Sequence, residues 1–200
     1  MAILSADGRN FGIEVPVLVI GAGACGLCAA LSAAERGAEV LVLERDETPT
    51  GSTTLSTALI PAAATKLQDA AGVEDSPEKF AADLIAKAKN QTDPDMALTV
   101  ACASGPTVDW LADEQQVPLS LVTGFLYPGH SVYRMHSTPN RAGGELMAAL
   151  LEAAGHAQID IATSAHVTDL FAGDDERVAG VRITRPGGTT EEIGCDALVL

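Results

Sequence analysis

Eight consecutive residues hold the chemistry that is legible before any fold is known: Gly21-Ala22-Gly23-Ala24-Cys25-Gly26-Leu27-Cys28. They carry two overlapping patterns. Cys25 and Cys28 make a C-x-x-C, the spacing of redox dithiols and of metal-binding pairs, which work best with a low-pKa thiol at a helix start. Gly21, Gly23 and Gly26 make a G-x-G-x-x-G. In that spacing the first glycine turns the chain, the second lets a pyrophosphate approach the backbone, and the third packs a helix close to a strand. The free N–H groups and positive dipole end of such a helix bind anionic oxygens without any charged side chain.

The flanking segments decide between the two patterns. Val15 to Ile20 is an apolar, β-rich run of the kind that fills a buried parallel strand. Ala29, Ala30, Ala33 and Ala34 give the next helix a small-residue face, Gly37 stops it, and Val40 to Leu43 form a second strand ending at Glu44. That carboxylate stands where a ribose hydroxyl is gripped. A dithiol site needs neither the leading Gly-x-Gly nor the spaced acid. The sequence therefore predicts a dinucleotide site on Gly21, Ala22, Gly23, Ala24, Cys25 and Gly26, with Glu44 and its neighbour Arg45. The thiols become passengers. Together with Cys102 and Cys195 they are expected to be buried small hydrophobes, with no metal site among them.

The bulk of the chain must position this turn. Two hundred residues, 47% hydrophobic and 20% charged, describe a globular chain with room for one domain and an inserted subdomain. Twenty-seven acids against 12 bases, a net charge of -15, leave no basic footprint for nucleic acid or an anionic membrane. The apolar runs are too short to span a bilayer, and residues 1 to 12 lack the pattern of a secretory signal, so a cytoplasmic location is expected.

After Glu44 a nicotinamide-binding domain usually proceeds to another helix and strand. Here comes TPTGSTTLSTALIPAAAT, residues 48 to 65, rich in hydroxyls and without an acid. Such a loop suits a second contact with a pyrophosphate and with the polar edge of a bound ring. It disfavours an NAD(P)-dependent Rossmann dehydrogenase, the main enzymatic alternative.

At this point the sequence resembles the FAD-dependent oxidoreductases of the fumarate reductase/succinate dehydrogenase flavoprotein and 3-ketosteroid Δ1-dehydrogenase group. The resemblance rests on GAGACGLCAALSAAERGAEVLVLER, on GSTTLSTALIPAA and on HSTPNRAGGELMAALLEAA. It implies a doubly wound, Rossmann-like α/β FAD-binding domain with a parallel central sheet, a small antiparallel sheet and a helical insertion. It also implies that the loop from Gly51 to Leu59 holds the pyrophosphate and flavin ring. Ser52 and Thr53 would face the phosphates, Ser56, Thr57 and Ala58 would lie along the isoalloxazine, and the backbone of Val167 would meet the adenine. Many members have paired glycines where this chain has Ala58-Leu59. Succinate dehydrogenases attach FAD through a histidine in this loop, and there is none between Glu44 and Gly129, so non-covalent FAD is expected. The implied chemistry is hydride exchange at flavin N5 with a small-molecule substrate, a carboxylate or a steroid, at a C–C bond beside a carbonyl or carboxylate.

The expected division assigns residues 1–65 and 142–200 to the FAD-binding domain and 66–141 to a helical insertion and a loop near the flavin. Helices are predicted from Ser76-Pro77-Glu78 and from Asp93-Pro94-Asp95, with Trp110 and Leu111 on a third, and Met96, Leu98, Val100 and Trp110 read as core. From Gln115 to Gly144 there is no acid, although Arg134, Arg141, His130 and His136 are present. This stretch is expected to face an anion, either cofactor phosphate or substrate carboxylate. Tyr127, His130, Arg134 and His136 are its candidates for catalytic contact. Further strands are expected at Gln158 to Ala162, His166 to Phe171, Val178 to Thr184 and Ala197 to Leu200, the segments flanking GDDER and PGG making the small antiparallel sheet. The chain closes inside the apolar strand CDALVL, from which a C-terminal remainder of a longer enzyme is expected. The non-enzymatic alternative is a cofactor-binding fragment without turnover.

Overall fold

The computed structural model describes residues 2–200 and divides the chain into two compact units, one of residues up to 53 with 150–200, the other of residues 54–149.

The first unit is organised by one seven-stranded sheet. Its strands are β1 (Ala2–Ser5), β2 (Ile13–Ile20), β3 (Val40–Leu43), β7 (Asp160–Ala162), β8 (His166–Ala172), β9 (Val178–Thr184) and β10 (Thr190–Val199), in the order β1-β8-β9-β10-β2-β3-β7. β2 lies between β10 and β3, parallel to both, and β7 adds a further parallel strand beside β3. Adjacent Leu18 and Val19 of β2 are both 0% exposed, so both faces of the sheet are covered there, as the continuous apolar run required. Helix α1 (Ala24–Ala34) makes the crossover from β2 to β3 and ends before Gly37, whose φ of +82° lets the chain turn back. Leu18, Leu43, Leu170, Val181, Ile183 and Ile193 form the core cluster of this unit, each worth about 1.5–3 kcal/mol in burial.

A mixed α/β fold with a small antiparallel sheet is present, but that sheet is built from other segments than expected. The segments flanking GDDER and PGG join the large sheet: β9 pairs antiparallel with both β8 and β10. β10 is also longer than its apolar end announced. Its first half closes the hairpin with β9, and its second half, through Val199, runs parallel to β2. Polar Thr190, Glu191 and Glu192 disguised the first half, because those three positions are exposed or only partly covered, although Ile193 and Gly194 after them are buried.

The second unit holds the small sheet, β4 (Ile60–Pro61), β6 (Met135–Ser137) and β5 (Ser120–Leu121), in the order β4-β6-β5, both pairs antiparallel. Around it are α2 (Gly51–Thr54, which straddles the division), α3 (Lys66–Ala70), α4 (Pro77–Lys87) and α5 (Pro94–Asp113), with α6 (Gly143–His156) crossing into the first unit. Thr65 and Gln68 form a reciprocal capping box on α3; the side chains of Ser76 and Asp93 cap α4 and α5, each followed by proline at the first helical position.

Two expectations change here. The second and third predicted helices are one, α5, continuing through Pro106. Side-chain hydroxyls of Ser104 and Thr107 donate to the carbonyls of Ala101 and Ala103 around the proline. Gly105 lets this part of α5 lie against the chain, since a Cβ there would stand 2.2 Å from the Ala63 carbonyl oxygen. Nor are Met96, Leu98 and Val100 core residues: they are 60%, 39% and 52% exposed. The buried stripe is Ala97, Ala101, Gly105, Val108 and Leu111; its first two members are small because they pack closely against Phe80 and Ala81 of α4.

Candidate functional site

In the first unit, Gly21 receives φ +95° and donates its N–H to Leu43 O at 2.7 Å, bending the chain at the end of β2. Gly26 is required by packing. A Cβ there would lie 1.9 Å from Gly21 O and 3.3 Å from Val19 Cγ1. Gly23 is different. Its φ of −77° is ordinary, and a Cβ there would find its nearest neighbour, Thr53 Oγ1, 3.8 Å away, so the space above it is open. As N-cap of α1, Gly23 provides no side-chain cap, and no acid stands in the first helical turn. Thr53 Oγ1 accepts from the Ala24 N–H at 3.2 Å, placing this expected phosphate-facing residue at the same helix start.

Glu44 closes the other side of the turn. Its Oε2 accepts from the Ala22 N–H at 2.9 Å and its Oε1 from the Asp46 N–H at 3.0 Å, which fixes the carboxylate at the end of β3. Arg45 points to solvent and pairs with Asp46. Gly21, Glu44 and Val167 share one cleft of about 220 Å³, with Arg45, Ala165 and His166 completing its rim. The structure thus brings together the ends of β2 and β3 and the start of β8. Ala165 and His166 were not singled out in the sequence; their only signal is adjacency to Val167. Ser52 is exposed on α2.

The two thiols of the turn have different surroundings. Cys28 is half-buried, and desolvation, followed by the proximity of Cys25, pushes its pKa up to about 11. Such a thiol is protonated at neutral pH and a poor nucleophile. Cys25 and Cys102 are exposed, contrary to expectation, because they lie on the open helix start and on the solvent side of α5; Cys195 is buried. Among the described residues no group of three His, Cys, Asp or Glu side chains could hold a metal ion.

In the second unit, Ser56 Oγ accepts from the Ala58 N–H at 3.1 Å, Ser56 O accepts from the Gly143 N–H at 2.8 Å, and Ser137 Oγ donates to Thr57 O at 3.2 Å. Residues 56–58 are therefore held by the start of α6 and by β6. Ala58, 3% exposed, sits at φ +50°, a conformation that glycine adopts without strain.

The acid-free stretch is not acid-free in space. Arg134 is 1% exposed; its Nε and Nη2 donate to the two carboxylate oxygens of Asp75 at 2.6 and 2.8 Å, its Nη1 donates to Asp83, and its guanidinium lies 4.9 Å from the Phe80 ring centroid. The anion expected opposite Arg134 is supplied from within. His136 is fully buried, with Nδ1 3.3 Å from Ile60 O and Nε2 2.9 Å from Thr65 Oγ1. A carbonyl can only accept, so Nδ1 carries the proton and Nε2 accepts from the hydroxyl. Burial lowers the His136 pKa. Arg141 is exposed at φ +53°. Tyr127 and His130, with ring centroids 5.5 Å apart, line a cavity of about 430 Å³ that Thr57 also borders.

Residues 16–200 match the model of a family described as FAD binding domain. The chain belongs to this family. FAD is its cofactor, and the geometry fits: a helix start whose N-cap is glycine, the Thr53 hydroxyl beside it, an open Gly23 and a cleft beside Glu44 can take a diphosphate and a ribose. This FAD-binding domain is 28% identical over 203 residues to an NADH:fumarate oxidoreductase of Klebsiella pneumoniae, covering 100% of the chain and 22% of the relative. To a urocanate reductase of Eggerthella lenta it is 29% identical, covering 94% and 31%. The solved 3-ketosteroid-Δ4-(5α)-dehydrogenase of Rhodococcus jostii RHA1 superposes with a TM-score of 0.84 at 26% identity, covering 99% of this chain and 48% of that one. The chain thus spans about a fifth to a third of these curated relatives. No helix among the described residues is long and apolar enough to cross a membrane.

Proposed function

We propose that this FAD-binding domain serves an oxidoreductase that desaturates or reduces a C–C bond beside a carbonyl or carboxylate of a small molecule, and that it turns over only with the remainder of that enzyme. The observation that carries the reading is the cleft shared by Gly21, Glu44 and Val167 next to the glycine-capped start of α1.

Here the α1 amides and Thr53 hold the diphosphate, Glu44 grips the ribose, and the Val167 backbone borders the adenine. Ser52 and Gly51 extend the phosphate contact. Ser56, Thr57 and Ala58 lie along the flavin ring, which binds non-covalently, and residues 66–141 form the insertion beside it. When bound, FAD supplies hydride acceptance and donation, while a protein acid or base handles the proton. Tyr127 and His130 are the candidates at the substrate side. Arg134 and His136 hold the loop that carries them. The thiols, free as a reducing compartment keeps them, fit a cytoplasmic location.

Two substitutions test the cofactor site. Gly23→Val meets little protein but fills the cradle, so it should leave thermal stability nearly unchanged while abolishing measurable FAD binding. Glu44→Ala removes a charge-assisted hydrogen bond and should weaken FAD by about 1.5–3 kcal/mol, or roughly tenfold to a hundredfold in Kd by flavin fluorescence titration. Unchanged affinity in both variants overturns the assignment.

A further inference from the structure

Helix α5 uses only one side on its own unit. Ala97, Ala101, Gly105, Val108 and Leu111 are buried there, while Met96, Thr99, Ala103 and Pro106 are exposed and follow one another at alternating steps of three and four, a line down the opposite face. Exposed Val100 and Cys102 flank that line.

This face is free of charge. Residues 96–108 hold no Asp, Glu, Lys or Arg, in a chain of net charge -15. The hydroxyls are engaged as well: Thr99 donates to Asp95 O at 2.8 Å and Thr107 to Ala103 O at 2.7 Å, within the helix. The charges stand at the two ends, Asp93 and Asp95 before the line and Asp109 and Asp113 after it, where Lys66 pairs with Asp113.

An exposed apolar face is a place for a partner, and the charge pattern selects which. A foreign protein is steered and oriented by charges opposite to those of its target, and this face offers none. A second copy has the reverse difficulty: like charge repels it from the rest of the surface, so the uncharged face is where two copies can approach. The face also matches itself. In a two-fold antiparallel crossing at Ala103, that small residue meets its own counterpart and lets the backbones come close, while Thr99 and Val100 of each copy lie over Thr107 and Pro106 of the other. The acidic ends make the helices cross rather than lie side by side, since full alignment would bring Asp95 between Asp109 and Asp113 of the second copy.

We propose that α5 is a self-association face through which two copies of this chain form a weak dimer, crossing at Ala103. One helix crossing buries less than about 1,200 Å² in total, which puts the dimer in the class of transient contacts. The dimer does not depend on the flavin reading.

Sedimentation velocity of the chain, from low to high micromolar concentration, should show a monomer–dimer equilibrium that tightens by about threefold or more in high salt, because screening relieves the acidic ends. Ala103→Arg sets two like charges against each other at the crossing and should weaken the dimer by about tenfold or more. Thr99→Arg, one turn away, should do the same and decides the matter should circular dichroism show Ala103→Arg unfolded. Ala86→Arg, at an exposed position of α4, changes the net charge equally and should hold the dissociation constant within about twofold. A short bismaleimide, followed by mass spectrometry of the linked peptides, should join Cys102 to Cys102 of the second copy. A chain that stays monomeric, a dimer that salt weakens, one that tolerates an arginine on α5, one weakened as much by Ala86→Arg, or a cross-link through Cys25 in place of Cys102 each overturns the proposal.

Discussion

Residues 21–26 and residues 130–136 are both short stretches without an acid, and they meet opposite needs. The first keeps only part of its backbone available, since the N–H groups of Gly21, Ala22 and Ala24 are bonded to Leu43, Glu44 and Thr53. Gly23 has open space above it, and the start of α1 has no acid and no cap from Gly23 itself, only the Thr53 hydroxyl on the Ala24 N–H. The second uses its polar groups up: Arg134 and His136 are buried with every strong contact made to the protein. A missing acid in the sequence therefore has two meanings, a place kept for an outside anion or a place whose anion arrives from elsewhere in the chain. Burial separates them.

Breaking that contrast should be most costly at Arg134. Arg134→Ala strands two carboxylates, one of them fully buried, and should destabilise the protein by about 3–5 kcal/mol, read as a fall in the urea midpoint. Adding Asp75→Asn and Asp83→Asn should recover part of the loss. If Arg134→Ala instead leaves stability intact, the guanidinium is available for an outside anion and the contrast fails.

The next effect is in pH. Folded His136 has a pKa below its ordinary value of 6.5 because burial opposes its charge. Its contribution to stability is complete above that value. As pH falls below 6.5, the unfolded chain takes up a proton that the folded chain refuses, and stability declines through the depressed folded pKa. His136→Gln should flatten that slope in urea melts between pH 7 and about 5. The smallest effect belongs to Ala58. Ala58→Gly relieves its φ of +50° and should raise stability by up to about 1 kcal/mol; a loss would mean that its buried methyl group matters more than the strain.

The glycine turn was legible because its determinants are local. The apolar strand, the spaced glycines, the alanine face and Glu44 occupy one continuous stretch, and each part of that pattern has its own chemistry. The pairing of Arg134 was not, since Asp75 and Asp83 come from a distant helix and the turn before it. Met96, Leu98 and Val100 misled for a related reason: apolar character says that a helix has a buried stripe, but the partner decides which stripe, and α4 packs on Ala97 and Ala101. Trp110 and Leu111 were placed on a separate helix because Pro106 reads as a break, whereas side-chain hydroxyls and a close-packed Gly105 accommodate it. Val167 was reached only through a family resemblance, for a backbone contact leaves no trace in side-chain type.

The two-sided pairing of β10 has a consequence for how the chain acquires its shape during synthesis. Val19 gains one neighbour, Val42, almost at once, but its other neighbour is Val199. The central strand that bends into the glycine turn must therefore wait, one edge bare, until nearly all of these residues have left the ribosome. Pairings so distant along the chain are slow to form and leave an apolar edge open to wrong partners meanwhile. The nascent flavin cradle is thus a late product of folding, and pulse-labelled nascent chains arrested before residue 193 should fail to protect the amides of β2 from exchange.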